Sequence, residues 1–476
     1  MKLLRPLIPG LAVLALAGCD TARSLVGAPA GPPAGEQGFV RGFLGGVAAE
    51  EPSAAAAARA VLSAGGTAAD AAAAAGFALA VTLPSRAGLG GGGACLVYHP
   101  RREAPEAVVF MPGARQGGLG NADRPAAVPL MARGLFALTT RMQGGRPFEE
   151  IVIQAEQLAR FGVPMSRALA ADIAAVGAPL LADPNLRAIF TRADGSPVPV
   201  GERFTNTPLA GTLTSLRSLG VGDLHQGGLA RGMVDAVPLA GGGAMTLAEL
   251  RAALPTTLPA IIETSSGGDR VGFLPLDGGL GAAAAFRALR AGQGVAEAQA
   301  RGLSVAQAVR SGAGGDAATL LARTDLPGGA LGAVPASTGL TVFDREGGAV
   351  SCVFTMNNLF GTGRVAPGTG VLLAAAPNAG AVQPPLPAAA IAYNPTLRAL
   401  RIAVASSGQQ AAPMAVAGPL AAHLLRGASP GEAVAAGPAP GRTQLGVCPR
   451  YLPGRPAECQ AVSDPRGFGV ALGAVE

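Results

Sequence analysis

The chain has 476 residues, 49% hydrophobic and only 14% charged, which excludes a disordered protein and allows one large domain or two to three ordinary ones. A formal charge of +6 would suit nucleic acid, but nearly all of the positive charge is arginine, Lys2 being the one lysine. The arginines are scattered and aromatics make up 4% with no Trp, so no nucleic-acid partner is expected.

The first element in chain order is a targeting segment. Lys2 and Arg5 precede an apolar stretch to Ala17, too short and wrongly flanked for a stable membrane span. It ends Leu16-Ala17-Gly18-Cys19, which resembles the lipobox of bacterial lipoproteins, where cleavage leaves a lipidated Cys19. The alternative is an ordinary signal peptide with a chance cysteine. Residues 1–18 read as the signal peptide, and their loss takes the net charge from +6 to +4. Residues 19–37 are Pro/Gly-rich and read as a flexible tether. The expected location is the periplasm or cell envelope, with a lipid anchor as the membrane contact. Such a compartment is oxidising. Cys448 and Cys459 flank a turn-rich loop and could form a disulfide, whereas Cys95 and Cys352 sit in apolar runs and read as small core residues.

Residues 51–83 are Ala-rich and helical, broken into two helices at Gly65-Gly66. "GLGGGGACLVYHP" then reads as a glycine turn entering a strand, and "EAVVFMP" as a second strand. Residues 147–175 show helical spacing, 207–254 alternate helices with turns, and 282–326 are largely helical. From 338 the pattern changes to short β-like runs: "TGLTVFD", "GAVSCVFTMN", "GVLLAAA", "AAIAYN" and "RIAVAS". A last helix, "AAPMAVAGPLAAHLLRG", follows them. Helices first and strands later fit helical layers over antiparallel sheets.

Several chemistries find no support. Gly88–Gly93 matches GxGxxG, but it follows a helix and enters a strand, the inverse of a dinucleotide site. Its glycines more plausibly let backbone approach backbone or a ligand. There are three histidines, His99, His225 and His423, without HExxH or Cys/His ligand spacing, so neither a metal nor another cofactor is expected. No GxSxG is present. An enzyme so poor in histidine can use the α-amino group of a newly made N-terminus as its base.

Four ordered blocks carry a family resemblance: "SAGGTAADAAAAAGFALAVTLPSRAGLGGGGACLVY", "QAEQLARFGVPMS", "NTPLAGTLTSLRSLGVGDLHQGGLARGMVDAV" and "STGLTVFDREGGAVSCVFTMNNLFGTGRVAPGTGVLL". Together they resemble the γ-glutamyltransferase family of self-cleaving N-terminal-nucleophile hydrolases. The resemblance implies an α+β fold, a four-layer αββα sandwich built from a large segment, 38–336, and a small segment, 337–476. It implies cleavage between Ala336 and Ser337, seven residues before Asp344, with Ser337 supplying both hydroxyl nucleophile and free amine, and association of the fragments as a heterodimer. Thr338 is the alternative if the register is off by one. Thr355 is implied to assist the nucleophile and Asn357 to hold substrate, while the bland alternative makes both strand-end polar residues. Gly408 and Gln409 match the oxyanion donors.

The hairpin "TVFD-REGGA-VSCVFTMN" supports the grouping. If Asp344 lies opposite Val350, Ser337 faces Asn357 with Thr355 a diagonal neighbour on the same face, although a one-residue slip would turn both away. The pattern departs from the family where a glutamyl group would bind. Met111 replaces the carboxylate-binding arginine, Arg115 being a possible substitute; Ala379 replaces an acidic residue, Pro387 and Ala388 replace two serines, and Gly339 replaces a histidine. Two functions follow from the resemblance. One is an exported amidohydrolase or acyltransferase acting on a small amide, glutathione-like or with a less polar acyl group. The other is an inactive, lipid-anchored binding or scaffold protein that keeps the fold.

Overall fold

The computed structural model describes residues 40–473 apart from 41, 118, 121, 144, 314, 327–335, 380–381 and 383. The expected signal peptide, the tether and Cys19 lie outside the described residues.

Among the described residues, eight strands precede residue 336: β1 (Gly45–Ala49), β2 (Gly92–Tyr98), β3 (Glu106–Phe110), β4 (Val163–Pro164), β5 (Arg203–Phe204), β6 (Thr256–Pro259), β7 (Ile261–Thr264) and β8 (Arg270–Phe273). Nine of the described strands follow it: β9 (Ser337–Asp344), β10 (Ala349–Thr355), β11 (Val365–Ala366), β12 (Val371–Leu372), β13 (Ala388–Asn394), β14 (Ala399–Ser407), β15 (Arg442–Leu452), β16 (Gln460–Ser463) and β17 (Val470–Leu472). One antiparallel sheet runs β17-β1-β9-β10-β2-β3-β6 and a second runs β16-β15-β14-β13-β8-β7. The remaining four strands form two short pairs.

Helices Pro52–Ser63, Ala68–Thr82 and Met131–Thr139 cover the outer face of the first sheet. Helices Asp277–Arg290 and Ala412–Arg426 cover the outer face of the second. The inner faces meet through Tyr98, Phe343, Ile391, Tyr393 and Leu400. The result is the expected four-layer αββα sandwich.

Local chemistry explains the elements nearest the site. Helix Pro52–Ser63 starts where the Glu51 carboxylate accepts from Ala54 N–H at 2.8 Å, with Pro52 at its first position. Helix Ala68–Thr82 opens on a capping box formed by Thr67 and Asp70. Every residue of that helix is buried, as expected of a helix apolar all round. The chain turns between the two at Gly65, φ 83°, where the glycine pair marks a break.

Three findings correct the sequence reading. The β9–β10 hairpin pairs Ser337 with Thr355 and Phe343 with Ala349, so Ser337 faces Thr355 and not Asn357. The cause is the turn: Asp344 N–H donates to Gly348 C=O and Gly347 adopts φ 87°, closing a three-residue loop. The pairing moves by two, so both residues keep the face assigned to them. Next, Cys95 and Cys352 are joined by a disulfide between β2 and β10 as well as being buried. Cys448 and Cys459 are also joined. Finally, β6–β8 occupy a stretch whose pattern shows no clear strand alternation, because all four residues of β6 and two of the four in β7 are exposed.

Candidate active site

Side chains of β9 alternate between layers. Leu340 and Val342 join the helix-side core, whereas Phe343 joins the core between the sheets and Thr341 Oγ1 donates to Gln444 C=O, 3.1 Å away on the second sheet. Ser337 shares the inter-sheet face with Thr341 and Phe343, and Thr338 lies on the opposite face. Ser337 is fully buried and its Oγ has no hydrogen-bond partner among the described residues.

Thr355 sits across from it. Its hydroxyl accepts from Asn357 N–H at 2.8 Å and donates to Ala336 C=O at 2.7 Å. Accepting from one side leaves its proton to point at the carbonyl of the Ala336–Ser337 peptide bond. Asn357 is buried, with φ 61°, and its Nδ2 donates to Ala375 C=O at 2.9 Å. The glycine run packs against the end of β10: a Cβ on Gly91 would lie 2.5 Å from Thr355 O, so only glycine lets the two backbones approach.

The second sheet brings Gly408 and Gln409. A Cβ on Gly339 would be 3.3 Å from Ala405 C and Ser406 N, so β9 and β14 stack closely just beyond Ser337. After β14 the chain passes Gly408 (φ 115°) and Gln409 (φ 55°) into helix Ala412–Arg426. The resemblance expects two glycines here. The left-handed backbone persists at Gln409 although a side chain there costs about 1–2 kcal/mol.

Glu50 is the residue that pattern reading misses. It follows β1, which pairs Ala49 with Leu340, and it is buried. Its Oε1 accepts from Gly339 N–H at 3.1 Å on β9 and from Ser407 Oγ at 2.5 Å at the end of β14. Its Oε2 pairs with Arg86 at 3.0 Å, and Arg86 pairs in turn with Asp172 at 2.6 Å. Burial pushes the Glu50 carboxyl above its ordinary range, with Arg86 pulling the other way. One carboxylate thus ties the strand that begins at Ser337 to the strand that ends at Ser407, one residue before Gly408. A signal exists in the sequence, a Glu50-Glu51 pair ahead of an Ala-rich helix, but it reads as ordinary helix capping.

Asp344 anchors the other end of β9. It accepts from Ala68 N–H at the start of a helix (2.9 Å) and from Gly348 (2.8 Å) and Glu346 (3.1 Å) in the turn. Burial raises its pKa to about 6.

Arg115 does not reach open space. Its side chain is fully buried, pairs with Glu249 at 3.1 Å, and donates to the carbonyls of Ala126, Gly242 and Ala244. These contacts make it a structural cation instead of a replacement substrate clamp. Met111 is partly buried beside the inter-sheet core, and Ala388 opens β13. Ala379 lines a cavity of about 340 Å³ with Asn358 and Ala375. The histidines serve elsewhere: His225 is buried against Leu250 C=O and held down to about 4 by burial, and His423 faces Ala428 C=O. Among the described residues no cluster of three His, Cys, Asp or Glu is placed to hold a metal.

Comparison with known proteins agrees with this architecture. A sequence model of the family "Gamma-glutamyltranspeptidase" matches residues 54–311. The glutathione hydrolase proenzyme of Escherichia coli (strain K12) is 28% identical over 356 residues, 63% of this chain and 60% of that protein. Glutathione hydrolase 2 of Arabidopsis thaliana is 28% identical over 187 residues, 37% of this chain and 32% of that protein. The matches therefore span less than two thirds of either relative's length. The crystal structure of cephalosporin acylase from Bacillus halodurans superposes with a TM-score of 0.71 at 18% identity, covering 93% of this chain and 98% of that one, a likeness of fold. With the family match covering more than half of its length, the chain belongs to the γ-glutamyltranspeptidase family.

Proposed function

We propose that this protein is a self-cleaving amidohydrolase or acyltransferase with Ser337 as nucleophile. The observation that carries the reading is the pairing at the scissile bond. Thr355 Oγ1 donates to Ala336 C=O, while one residue away the Ser337 hydroxyl is buried without a partner among the described residues. Attack of Ser337 Oγ on the Ala336 carbonyl carbon makes a C–O bond. The negative charge that develops on the Ala336 carbonyl oxygen is met by the Thr355 hydroxyl. The C–N bond then breaks, its nitrogen takes the hydroxyl proton, and water hydrolyses the ester to leave Ala336 as a carboxylate and Ser337 as an α-amine.

The freed amine then serves as base for the same hydroxyl. Ser337 Oγ attacks a small amide, a γ-glutamyl compound or a related one. The amine product leaves with the transferred proton, and water or an amine takes the acyl group from the serine ester. Gly408 and Gln409 are assigned the oxyanion of this second reaction, on the stacking of β9 against β14. Incubation with amides of a chromogenic amine tests the reading: amine release is expected, and it should vanish in Ser337→Ala.

A second reading has its own support. Met111 and Ala379 stand where the family places charged clamps, and Arg115 is committed to Glu249, which favours a binding protein without catalysis. In either reading the protein is exported and anchored through lipidated Cys19, in keeping with two disulfides in the mature chain. Labelling with a radioactive fatty acid should mark the wild type and not Cys19→Ala.

A further inference from the structure

A cut between Ala336 and Ser337 puts a new amine in a closed place. Ser337 is fully buried, and its α-amine takes up a proton each time it serves as base. A buried ammonium group is costly unless a carboxylate answers it.

Two observations fix the side on which that nitrogen lies. The Ala336 carbonyl points at Thr355 on β10, and a trans peptide bond sets its N–H opposite its C=O. The Ser337 nitrogen therefore faces away from β10, toward the edge of β9 that β1 borders. In an antiparallel ladder the N–H groups of alternate residues share an edge. The Gly339 N–H, two residues on, meets the Glu50 carboxylate just past the last β1 pair, Ala49 with Leu340. Both observations put the Ser337 nitrogen and Glu50 on one edge, with about 7 Å between the nitrogens of residues 337 and 339.

The charges on this edge do not balance. Glu50 and Asp172 are both buried and share one guanidinium, that of Arg86. Arg86 makes two hydrogen bonds to Asp172, at 2.8 and 2.6 Å, and one to Glu50, at 3.0 Å. Two carboxylates and one cation leave the trio with one negative charge in excess. The other charged groups of the surrounding elements are engaged or distant. Glu51 accepts from Ala54 N–H and Thr82, Arg442 donates to the carbonyls of Pro440 and Gly441, and Arg466 pairs with Asp464. Arg59 lies two turns into the helix that follows, and Asp70, Asp344 and Arg401 lie at the far ends of their elements. Strand β10 carries no acid or base between Ala349 and Thr355.

We infer that Glu50 is the counter-charge of the Ser337 α-ammonium group and thereby sets the strength of the base that activates the nucleophile. As Ser337 Oγ passes its proton to the α-nitrogen, the ammonium forms on the edge that Glu50 occupies and answers the trio's excess charge. The proton then leaves with the departing amine. Glu50 acts through the α-amine and not on the substrate, so it is a positioning residue. This role rests on the proposed Ser337 chemistry.

Protein labelled with ¹⁵N-serine provides the test, because Ser337 is the one serine whose nitrogen becomes an amine on cleavage, resonating apart from the amides. In Glu50→Gln, which keeps a hydrogen-bond acceptor for Gly339 and Ser407, the amine should titrate about one pH unit lower than in the wild type. The acid limb of kcat/KM on an amide of a chromogenic amine should move down with it. Glu50→Asp keeps the charge and should titrate near the wild type. Arg86→Gln removes the competing cation and should move the amine up. A purely structural role would lower kcat and move neither titration, so an amine that titrates alike in wild type and Glu50→Gln overturns the inference and leaves the Ser337 chemistry standing. Should Glu50→Gln not fold, Arg86→Gln decides alone: an upward shift supports the inference, and no shift or a downward one overturns it. Absence of any serine amine signal from the wild type sinks the Ser337 chemistry itself, and the role of Glu50 with it.

Discussion

At the scale of single residues, the account turns on one hydroxyl pair. Thr355→Val keeps the shape of the side chain and removes the donor to Ala336 C=O, so cleavage should slow by about 10²–10³, as for loss of one oxyanion donor. The fraction of cut chain against time after synthesis measures it; an unchanged rate would assign the carbonyl's activation to another group. Ser337→Thr keeps a hydroxyl in the same place and should still cleave. Glu50 makes a separate prediction. Glu50→Ala strands Arg86 beside Asp172 alone and releases both Gly339 and Ser407. It should cost about 3 kcal/mol, as for a broken buried pair, and lower kcat more than it raises KM because it shifts β9 against β14. Urea unfolding and steady-state kinetics read the two effects, and a loss of stability without a change in kcat would make Glu50 merely structural. Only the first part of this is legible in the pattern. Ser337, Thr355 and Asp344 stand at spacings a hairpin can use, whereas Glu50 acquires its partners only when β1 pairs with β9 and the second sheet stacks on it.

At the scale of elements, the hairpin end is controlled by Asp344. Folded Asp344 keeps its proton up to about pH 6, while an aspartate in an unfolded chain releases it near ~3.9. Folding therefore takes up a proton between those values, so this contribution to stability is fully present below the unfolded pKa and is lost as pH rises through the folded one. Relative to the non-titrating Asp344→Asn, the wild type should lose about 2 kcal/mol between pH 4 and pH 6.5. Parallel urea titrations would show this, and a difference independent of pH would contradict it. The elements themselves were unevenly legible. The helices flanking Gly65 and the strands β9, β10, β13 and β14 are written in strong local patterns, and the glycine run announces a close approach of backbones that β10 then makes. The register was off by two because sequence does not choose between a three-residue and a five-residue turn around Gly347-Gly348. The edge strands β6 and β7 escape because half-exposed strands lose the alternation that burial imposes. Cys95 and Cys352 read as apolar core because their pairing depends on β2 lying beside β10, a fact of sheet order and not of spacing.

At the scale of the whole molecule, the segments before and after Ala336 are not separable domains. In the first sheet β9 and β10 are inserted between β1 and β2, and in the second β13 pairs with β8. Cleavage would leave two interleaved chains sharing both sheets and the helical layer over the second, and Cys95–Cys352 would join them covalently, since its halves lie on opposite sides of the cut. Cys448–Cys459 lies wholly after it. On denaturing gels the cleaved protein should thus run as one species without reductant and as two with it, and Cys352→Ser should give two in both; two species from unreduced wild type would show that the bridge is absent. The central claim is the cut itself. Intact-mass measurement of the reduced, denatured protein tests it most directly. The account predicts a fragment that begins at Ser337 and runs to the C-terminus, absent from Ser337→Ala; a wild-type chain still joined across Ala336–Ser337 would contradict it.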